Sequence, residues 1–338
     1  MKKDEEKILS YISDRLGSGR NILEMSKGIN QKYGNSYYPN IYNAIKKLEK
    51  KGIIDIEREG NNKLISINIK NPLSFYYLSE IESIRNQRTT IRKEILDGLS
   101  ALPQTFDILS MCSLDTKKHL KLNRLELLFL IRQDKDIDRL TSSLIKMETD
   151  YGIKIDPIIL TPESFIKIMK SEELDMLKDL ILDREILYNS DGFWGLIRQS
   201  GIGSRYKLFG MLPYDIPRSE LAYNYSRLGY RLNEELKPAD RISAELTIFS
   251  MSINKEIRIR YGAIIILHKN IENINLAYLY YLYKRYDKLS AFKGILLSLD
   301  NLTDLKGDTK LAYYITLIRE APEAYDQKMI KRYIKLYD

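Results

Sequence analysis

The chain has 338 residues, 44% of them hydrophobic and 30% charged, and a formal net charge of +8. That length fits about two or three domains, and that composition buries real cores, which excludes a disordered chain. The 54 Lys and Arg are mixed with 46 Asp and Glu, so a polyanionic partner is permitted but not required.

Cys112 is the only cysteine, so neither a disulfide framework nor a Cys-cluster zinc site can be built. His119 and His268 lie far apart in sequence and suggest no metal pair; the sequence implies no metal and no cofactor. The N-terminus runs from Met1-Lys2-Lys3 straight into an amphipathic pattern with no apolar signal core. The longest oily patch, Tyr261 to Leu267, is far short of the ~18 apolar residues a membrane span needs. A cytoplasmic, nucleoid-associated protein without membrane contact is the expectation.

The first helical pattern, Glu5 to Leu16, puts Ile8, Leu9, Ile12 and Leu16 on one face. The second, Asn21 to Tyr33, does the same with Ile22, Leu23, Met25, Ile29 and Tyr33, and Gly34 ends it. The third is read as entered through Ser36, with Pro39 in its first turn and Gly52 at its C-cap. Its apolar stripe is Ile41, Ile45 and Leu48; its other face carries Tyr38, Asn40, Asn43, Lys46, Lys47 and Lys50. After Gly52 the period changes to two. Ile53 to Glu57 and Lys63 to Ile69 alternate as strands around the turn Arg58-Glu59-Gly60-Asn61-Asn62. Residues 1–70 hold 14 Lys and Arg against 9 Asp and Glu, a net +5, so the basic surplus is concentrated here.

Helix, helix, helix, hairpin is the order of a winged helix-turn-helix domain. This segment, above all Ile41 through Ile54, resembles the winged-helix repressors of archaea and bacteria. The resemblance implies a third helix lying in the major groove of double-stranded DNA and a wing touching backbone or minor groove. The candidate DNA-binding residues are Ser36, Tyr38, Asn40, Asn43, Lys46, Lys47 and Lys50, with Arg58, Asn61 and Lys63 from the wing. Asn40 and Asn43 suit adenine edges, and Tyr38 and the lysines suit phosphates. The competing reading is a protein-binding winged helix with a solvated lysine face.

Asn71-Pro72 closes the wing, and Leu73 to Leu99 reads as one long connecting helix with Arg85, Arg88, Arg92 and Lys93 outward, a place for a dimer contact. Strands follow at Phe106–Met111, Leu125–Ile131 and Ile153–Leu160, with a polar loop from Cys112 to Asn123 and a helix from Asp136 to Tyr151. Thr161-Pro162-Glu163 opens another helix. This order describes a small α/β domain, and it is similar to the minimal nucleotidyltransferase domain. That family has a Gly-Ser pair after its first strand and, eleven and thirteen residues beyond the Ser, two Asp that hold Mg²⁺. Here Cys112-Ser113 takes the place of Gly-Ser, and the spacing puts Arg124 and Glu126 where the two Asp belong. Asp156 corresponds to the third carboxylate, and Thr116 and Lys117 replace the loop's Arg-Gly. A guanidinium at a ligand position removes a ligand and repels the cation, so Ser113, Lys117, Arg124, Glu126 and Asp156 read as a degenerate nucleotide site with no catalytic residue. Ser113 and the surrounding Lys117, Lys118, Lys121 and Arg124 are either a metal-free anion site or a solvated basic loop.

Leu174 to Tyr188 has helical spacing and then becomes extended; Asp179, Asp183 and Glu185 read as the solvated side of a helix end. Trp194, the only tryptophan, reads as a packing anchor between domains. Residues 201–217 are Gly- and Pro-rich, a linker, and the rest is helical: Arg218–Leu236, Ala239–Ser252, Lys255–Lys269, Leu276–Tyr286, Leu289–Leu299, Asp308–Glu320 and Pro322–Tyr337. The basic residues Lys255, Arg258 and Arg260 and the tyrosines 278–286 invite base stacking, but tyrosine at every helical phase fits core and interface better.

The expected fold class is multidomain α+β, predominantly helical. It comprises a winged helix (1–71), a connecting helix (72–100), a nucleotidyltransferase-like α/β domain (101–200) and an all-α domain (215–338). The expected function is a DNA-binding transcriptional regulator, a homodimer on double-stranded DNA, with the C-terminal helices open to a protein partner or effector. The alternative is a nucleotidyltransferase with an altered metal site acting on a protein or nucleic acid.

Overall fold

A computed structural model describes residues 3–14, 20–34, 36–60, 62–87, 89–114, 123–201, 207–233, 235–302, 309–322 and 325. The chain is mixed α/β and predominantly helical, with two sheets among the described residues. It divides into two compact units, Met1–Glu172 with Leu177–Leu208, and Glu173–Met176 with Phe209–Asp338. The division falls at neither residue 71 nor residue 100.

The first unit begins with α1 (Lys3–Ser13), α2 (Ile22–Tyr33) and α3 (Tyr38–Lys50). The strands β1 (Arg20–Asn21), β2 (Ile54–Glu59) and β3 (Asn62–Ile67) form an antiparallel sheet in the order β1-β3-β2. Asn21 caps α2, its side-chain oxygen accepting from the Glu24 N–H at 2.8 Å. Gly34, at φ +65°, ends the helix. The turn into α3 is pinned by Lys7, whose Nζ donates to the Gly34 carbonyl at 3.2 Å and to Ser36 Oγ at 3.0 Å. Ser36 is therefore buried and serves the turn; the N-cap position is Tyr37, and α3 starts at Tyr38. At the other end Gly52, at φ +68°, lets the Ile53 N–H reach the Leu48 carbonyl at 3.0 Å, closing the helix as only a left-handed residue can. Ile41, Ile45 and Leu48 are buried with Ile8, Leu9, Ile12, Met25 and Ile29. Gly28 permits close approach of α1 and α2: a Cβ there would lie 2.1 Å from the Tyr11 hydroxyl.

The chain continues through α4 (Pro72–Asn86) and α5 (Lys93–Thr105). These are two helices, not one from Leu73 to Leu99. Thr89, Thr90 and Ile91 are β-branched and poor helix formers, and the side chains nearby prefer tertiary partners. Asn86 Nδ2 donates to the Ile186 carbonyl at 2.6 Å, and Thr89 Oγ1 to Glu185 Oε2 at 3.1 Å. Arg85 is not on an outer face; only 17% of its side chain is exposed. Arg88 lies outside the described residues.

Next come β4 (Ile108–Leu114), β5 (Arg124–Ile131), α6 (Ile137–Tyr151), β6 (Lys154–Leu160), α7 (Pro162–Lys170), a short α8 (Met176–Leu180), β7 (Arg184–Tyr188) and α9 (Ser190–Gln199). The sheet order is β6-β5-β4-β7; β5 and β6 run parallel, and β4 is antiparallel to both neighbours. One face packs Leu125, Leu127 and Phe129 against Ile95, Leu99, Leu140 and Leu144 of α5 and α6. α4, α7 and α9 lie against the strands of the same sheet. The strand β7 corrects the reading of Glu185 as part of a solvated helix end, while Asp179 and Asp183 do stand at the end of the preceding helical turns. Glu185 is buried on β7, opposite Ser113, because Leu180 to Tyr188 supplies enough apolar residues for a sheet edge.

The second unit holds α10 (Arg218–Arg227), α11 (Ala244–Ser252), α12 (Ile257–Asn270), α13 (Leu276–Arg285), α14 (Leu289–Leu302) and α15 (Thr309–Leu317). The helix expected to reach Leu236 stops at Arg227, since Gly229 sits at φ +92°. Residues before Ala244 do not continue α11 backward. They run beside Leu174, whose N–H donates to the Arg241 carbonyl at 2.7 Å and whose carbonyl accepts from the Ser243 N–H at 3.0 Å. Of the helix expected over Pro322–Tyr337, only residues 322 and 325 are described. No described helix is long and apolar enough to cross a membrane.

Candidate functional site

Tyr38, Asn40, Asn43, Lys46, Lys47 and Lys50 are all exposed on α3, opposite the buried stripe. Among the described residues no acid pairs with Lys46, Lys47 or Lys50. The rings of Tyr38 and Tyr42 stack with centroids 6.2 Å apart and planes 19° apart, and Lys46 Nζ lies 4.7 Å from the centre of the Tyr42 ring. Lys51 turns away to Tyr77 and Glu5, each at 3.2 Å, and the Tyr77 hydrogen bond leads in holding its pKa above the ordinary value.

In the hairpin Arg58 and Lys63 are cross-strand partners, both exposed. Strand alternation puts them on the side of Ile54, Ile56, Ile65 and Ile67, and puts Asp55 and Glu57 on the other. Burial, followed by the charge of Glu57, pushes the Asp55 carboxyl up. The hairpin thus segregates its bases from its acids. Asn61 lies outside the described residues. Ser36, buried under Lys7, offers no free hydroxyl to a phosphate, which corrects its assignment as a contact.

In the sheet, Glu126 is the register partner of Asp156 on one side and of Leu114 on the other. Arg124, two residues before Glu126, shares that face, and its Nε donates to Asp156 Oδ2. Asp156 is fully buried, and its Oδ1 has no hydrogen-bond partner among the described residues. Ser113 lies on β4 itself rather than in a loop, in register with Leu127, and so shares the face of the apolar cluster. The structure therefore joins Arg124, Glu126 and Asp156 and leaves Ser113 behind the sheet; Lys117 lies outside the described residues. A divalent cation needs several clustered oxygen anions. Here one of two carboxylates already holds a guanidinium, and no trio of potential ligands exists among the described residues. The residues present do not fit a Mg²⁺ pair.

A second charged cluster escaped the sequence reading. Arg184 of β7 is completely buried. Its guanidinium donates to the Ser13 carbonyl at 3.2 Å, the Ile181 carbonyl at 2.8 Å and Glu82 Oε1 at 3.4 Å. It also lies over the rings of Phe193 and Trp194, at 4.8 and 4.6 Å. Arg85 adds a bond to Glu82 at 2.9 Å, one to the Ser10 carbonyl at 2.9 Å and one to Asp14. Two arginines thus close the carbonyl end of α1 onto α4 and β7, where the helix dipole favours cations. Burial lowers the pKa of Arg184, partly offset by Glu82, and pushes the Cys112 thiol to about 12. Burial likewise raises Glu185. The sequence offered one signal, an arginine inside the apolar run Leu180 to Tyr188. Trp194 is buried within this unit, edge-on to Phe193.

In the second unit Tyr278, Tyr280, Tyr281 and Tyr283 are buried among Phe249, Phe292 and Tyr314, with Tyr283 and Phe292 stacked at 4.8 Å. Those rings are core and offer no face to a base. Glu245, at the start of α11, accepts from the Asn275 N–H at 2.9 Å. Burial first, then the charges of Asp175 and Glu173, push its carboxyl up to about 7.

No protein-family model, no curated protein and no solved structure matches this chain.

Proposed function

We propose that the chain is a DNA-binding transcriptional regulator whose N-terminal helices and hairpin act as a winged helix, with α3 in the major groove and Arg58 and Lys63 on the backbone. In this reading the four-stranded sheet is a nucleotidyltransferase-like layer without catalytic function. The helical unit joins a second copy, binds a partner protein or senses an effector. The observation that carries the proposal is the outer face of α3. It presents donors and acceptors for base edges and three lysines with no paired acid among the described residues, beside a hairpin that turns its own basic pair to the tip.

The test is an electrophoretic shift assay of the full chain with random-sequence duplex at two salt concentrations. Each lysine or arginine that neutralises a phosphate steepens the salt dependence by about 0.9. Four or more contacts predict a slope of about −4; a slope near zero overturns the proposal. The enzyme reading keeps one supporting observation, the adjacency of Glu126 to a buried Asp156 with one unpartnered oxygen.

A further inference from the structure

Asn40 and Asn43 are both exposed, but they do not stand in equivalent places. Asn43 is surrounded by exposed residues at helical spacing: Pro39 at i−4, Lys46 and Lys47 at i+3 and i+4, and Lys50 at i+7. Asn40 borders the core, with buried Ser36 at i−4 and buried Ala44 at i+4. Residues three and four apart share a helix surface, so Asn43 is at the middle of the outward stripe and Asn40 at its edge. One flank of the stripe is organised in advance. Tyr38 stacks on Tyr42, and the Lys46 ammonium sits over the Tyr42 ring. An exposed lysine gives up rotamer freedom when it docks on a phosphate, and a cation–π contact that already confines it reduces that cost. Glu49 is the only acid in α3, and it forms no ion pair with Lys46.

Resting on the DNA-binding reading, we propose that Asn43 reads an adenine in the major groove while Tyr42 positions Lys46 on a neighbouring phosphate. The preferred duplex then carries an A·T pair at the centre of the contact. The carboxamide supplies one donor and one acceptor, which match adenine N7 and N6 as a bidentate pair and no other base equally. The Lys46 contact is blind to sequence and adds affinity at every site. Asn43 is the specificity-determining residue, and Tyr42 is a positioning residue that acts through Lys46.

The experiment selects duplexes bound by the full chain from a randomised pool. It then measures affinity for the best duplex and for its single base-pair variants at two salt concentrations. Wild type is expected to discriminate for A·T at one position by about five- to a hundred-fold. Asn43→Ala should bind with an unchanged salt slope and lose that one preference. Lys46→Gln should keep the preference and lower the slope by about one. Tyr42→Leu should keep both preference and slope and weaken binding about two- to five-fold. The double variant Tyr42→Leu/Lys46→Gln should bind no more weakly than Lys46→Gln alone. An A·T preference that survives Asn43→Ala, or effects of Tyr42 and Lys46 that multiply, overturns the inference and leaves DNA binding intact. Failure of wild type to bind any duplex overturns the DNA reading itself.

Discussion

Replacing Arg184 by Leu tests the physical account of the first unit most directly. The substitution removes three hydrogen bonds from a charged donor, to the carbonyls of Ser13 and Ile181 and to Glu82. Hydrogen bonds from charged groups contribute about 1.5–3 kcal/mol each, and removing one partner of a buried pair costs about 3–5 kcal/mol. Two features pull the cost toward the low end of that range. Arg85 keeps its own bond to Glu82 at 2.9 Å, so the carboxylate is not stranded, and Leu retains some packing on Phe193 and Trp194. Against this, Glu82 Oε2 already lacks a partner, and the Ser13 carbonyl loses the guanidinium it faces. The balance is a loss of about 3 kcal/mol. Urea unfolding of the full chain reads it through Trp194, the only tryptophan, which is buried beside the altered residue. With a slope of about 2–3 kcal/mol/M the midpoint should fall by about 1 M or more. Arg184→Lys should recover little, because an ammonium lacks the planar fork. A midpoint that moves by less than about 0.3 M in Arg184→Leu refutes the claim that this network joins α1 to the sheet.

Reversing charge with Lys46→Glu and Lys47→Glu together should abolish duplex binding in the shift assay; unchanged affinity would move the DNA contact off α3. Incubation of wild type with labelled nucleoside triphosphates and Mg²⁺ or Mn²⁺ should transfer no label to protein or nucleic acid, and incorporation would revive the enzyme reading. Glu245 predicts a pH dependence. Its folded pKa is raised from the ordinary 4.5 to about 7, so its contribution is fully present below 4.5 and is lost as pH rises through about 7. That is a loss on the order of 3 kcal/mol. Glu245→Gln, which keeps the Asn275 hydrogen bond and cannot ionise, should therefore match wild type in Tm near pH 4.5 and exceed it above pH 7. An equal gap at both pH values would refute the assignment.

Where local chemistry decides structure, residues and fold agree. Asn21 and Gly34 bracket α2, Gly52 follows α3, and the apolar stripe of α3 is buried as its spacing requires. The alternation of residues 54–67 becomes a hairpin in which Arg58 faces Lys63. Where tertiary partners decide, the pattern is silent. α4 ends at Asn86 and α5 begins only at Lys93, and Asn86 and Thr89 bond instead to β7, a strand that shares no local sequence with them. Ser36 has the chemistry of a cap and is used instead by Lys7, twenty-nine residues earlier. The spacing from Ser113 singles out Arg124 and Glu126, which the sheet brings beside Asp156. It could not reveal that Ser113 would face the opposite side, because that depends on the register of β4 against β5.

The distribution of paired and unpaired cations argues for a division of labour within the first unit. Arg124 is neutralised by Asp156, and Arg184 and Arg85 by Glu82 and Asp14. Those guanidiniums are committed to internal acceptors: a polyanion recruiting Arg124 would leave the buried Asp156 uncompensated at a cost of several kcal/mol, and one recruiting Arg184 or Arg85 would strip Glu82 of one of its two guanidiniums. Lys46, Lys47, Lys50, Arg58 and Lys63 have no such commitment among the described residues and are exposed. A phosphate that meets them replaces only water and counterions, which is a favourable exchange at low salt. A net charge of +8 spread over 338 residues says little by itself. Its physical meaning lies in which positive charges the fold has already neutralised and which it leaves exposed, those of α3 and the hairpin tip among them. On that criterion α3 and the hairpin are the surface to challenge with DNA.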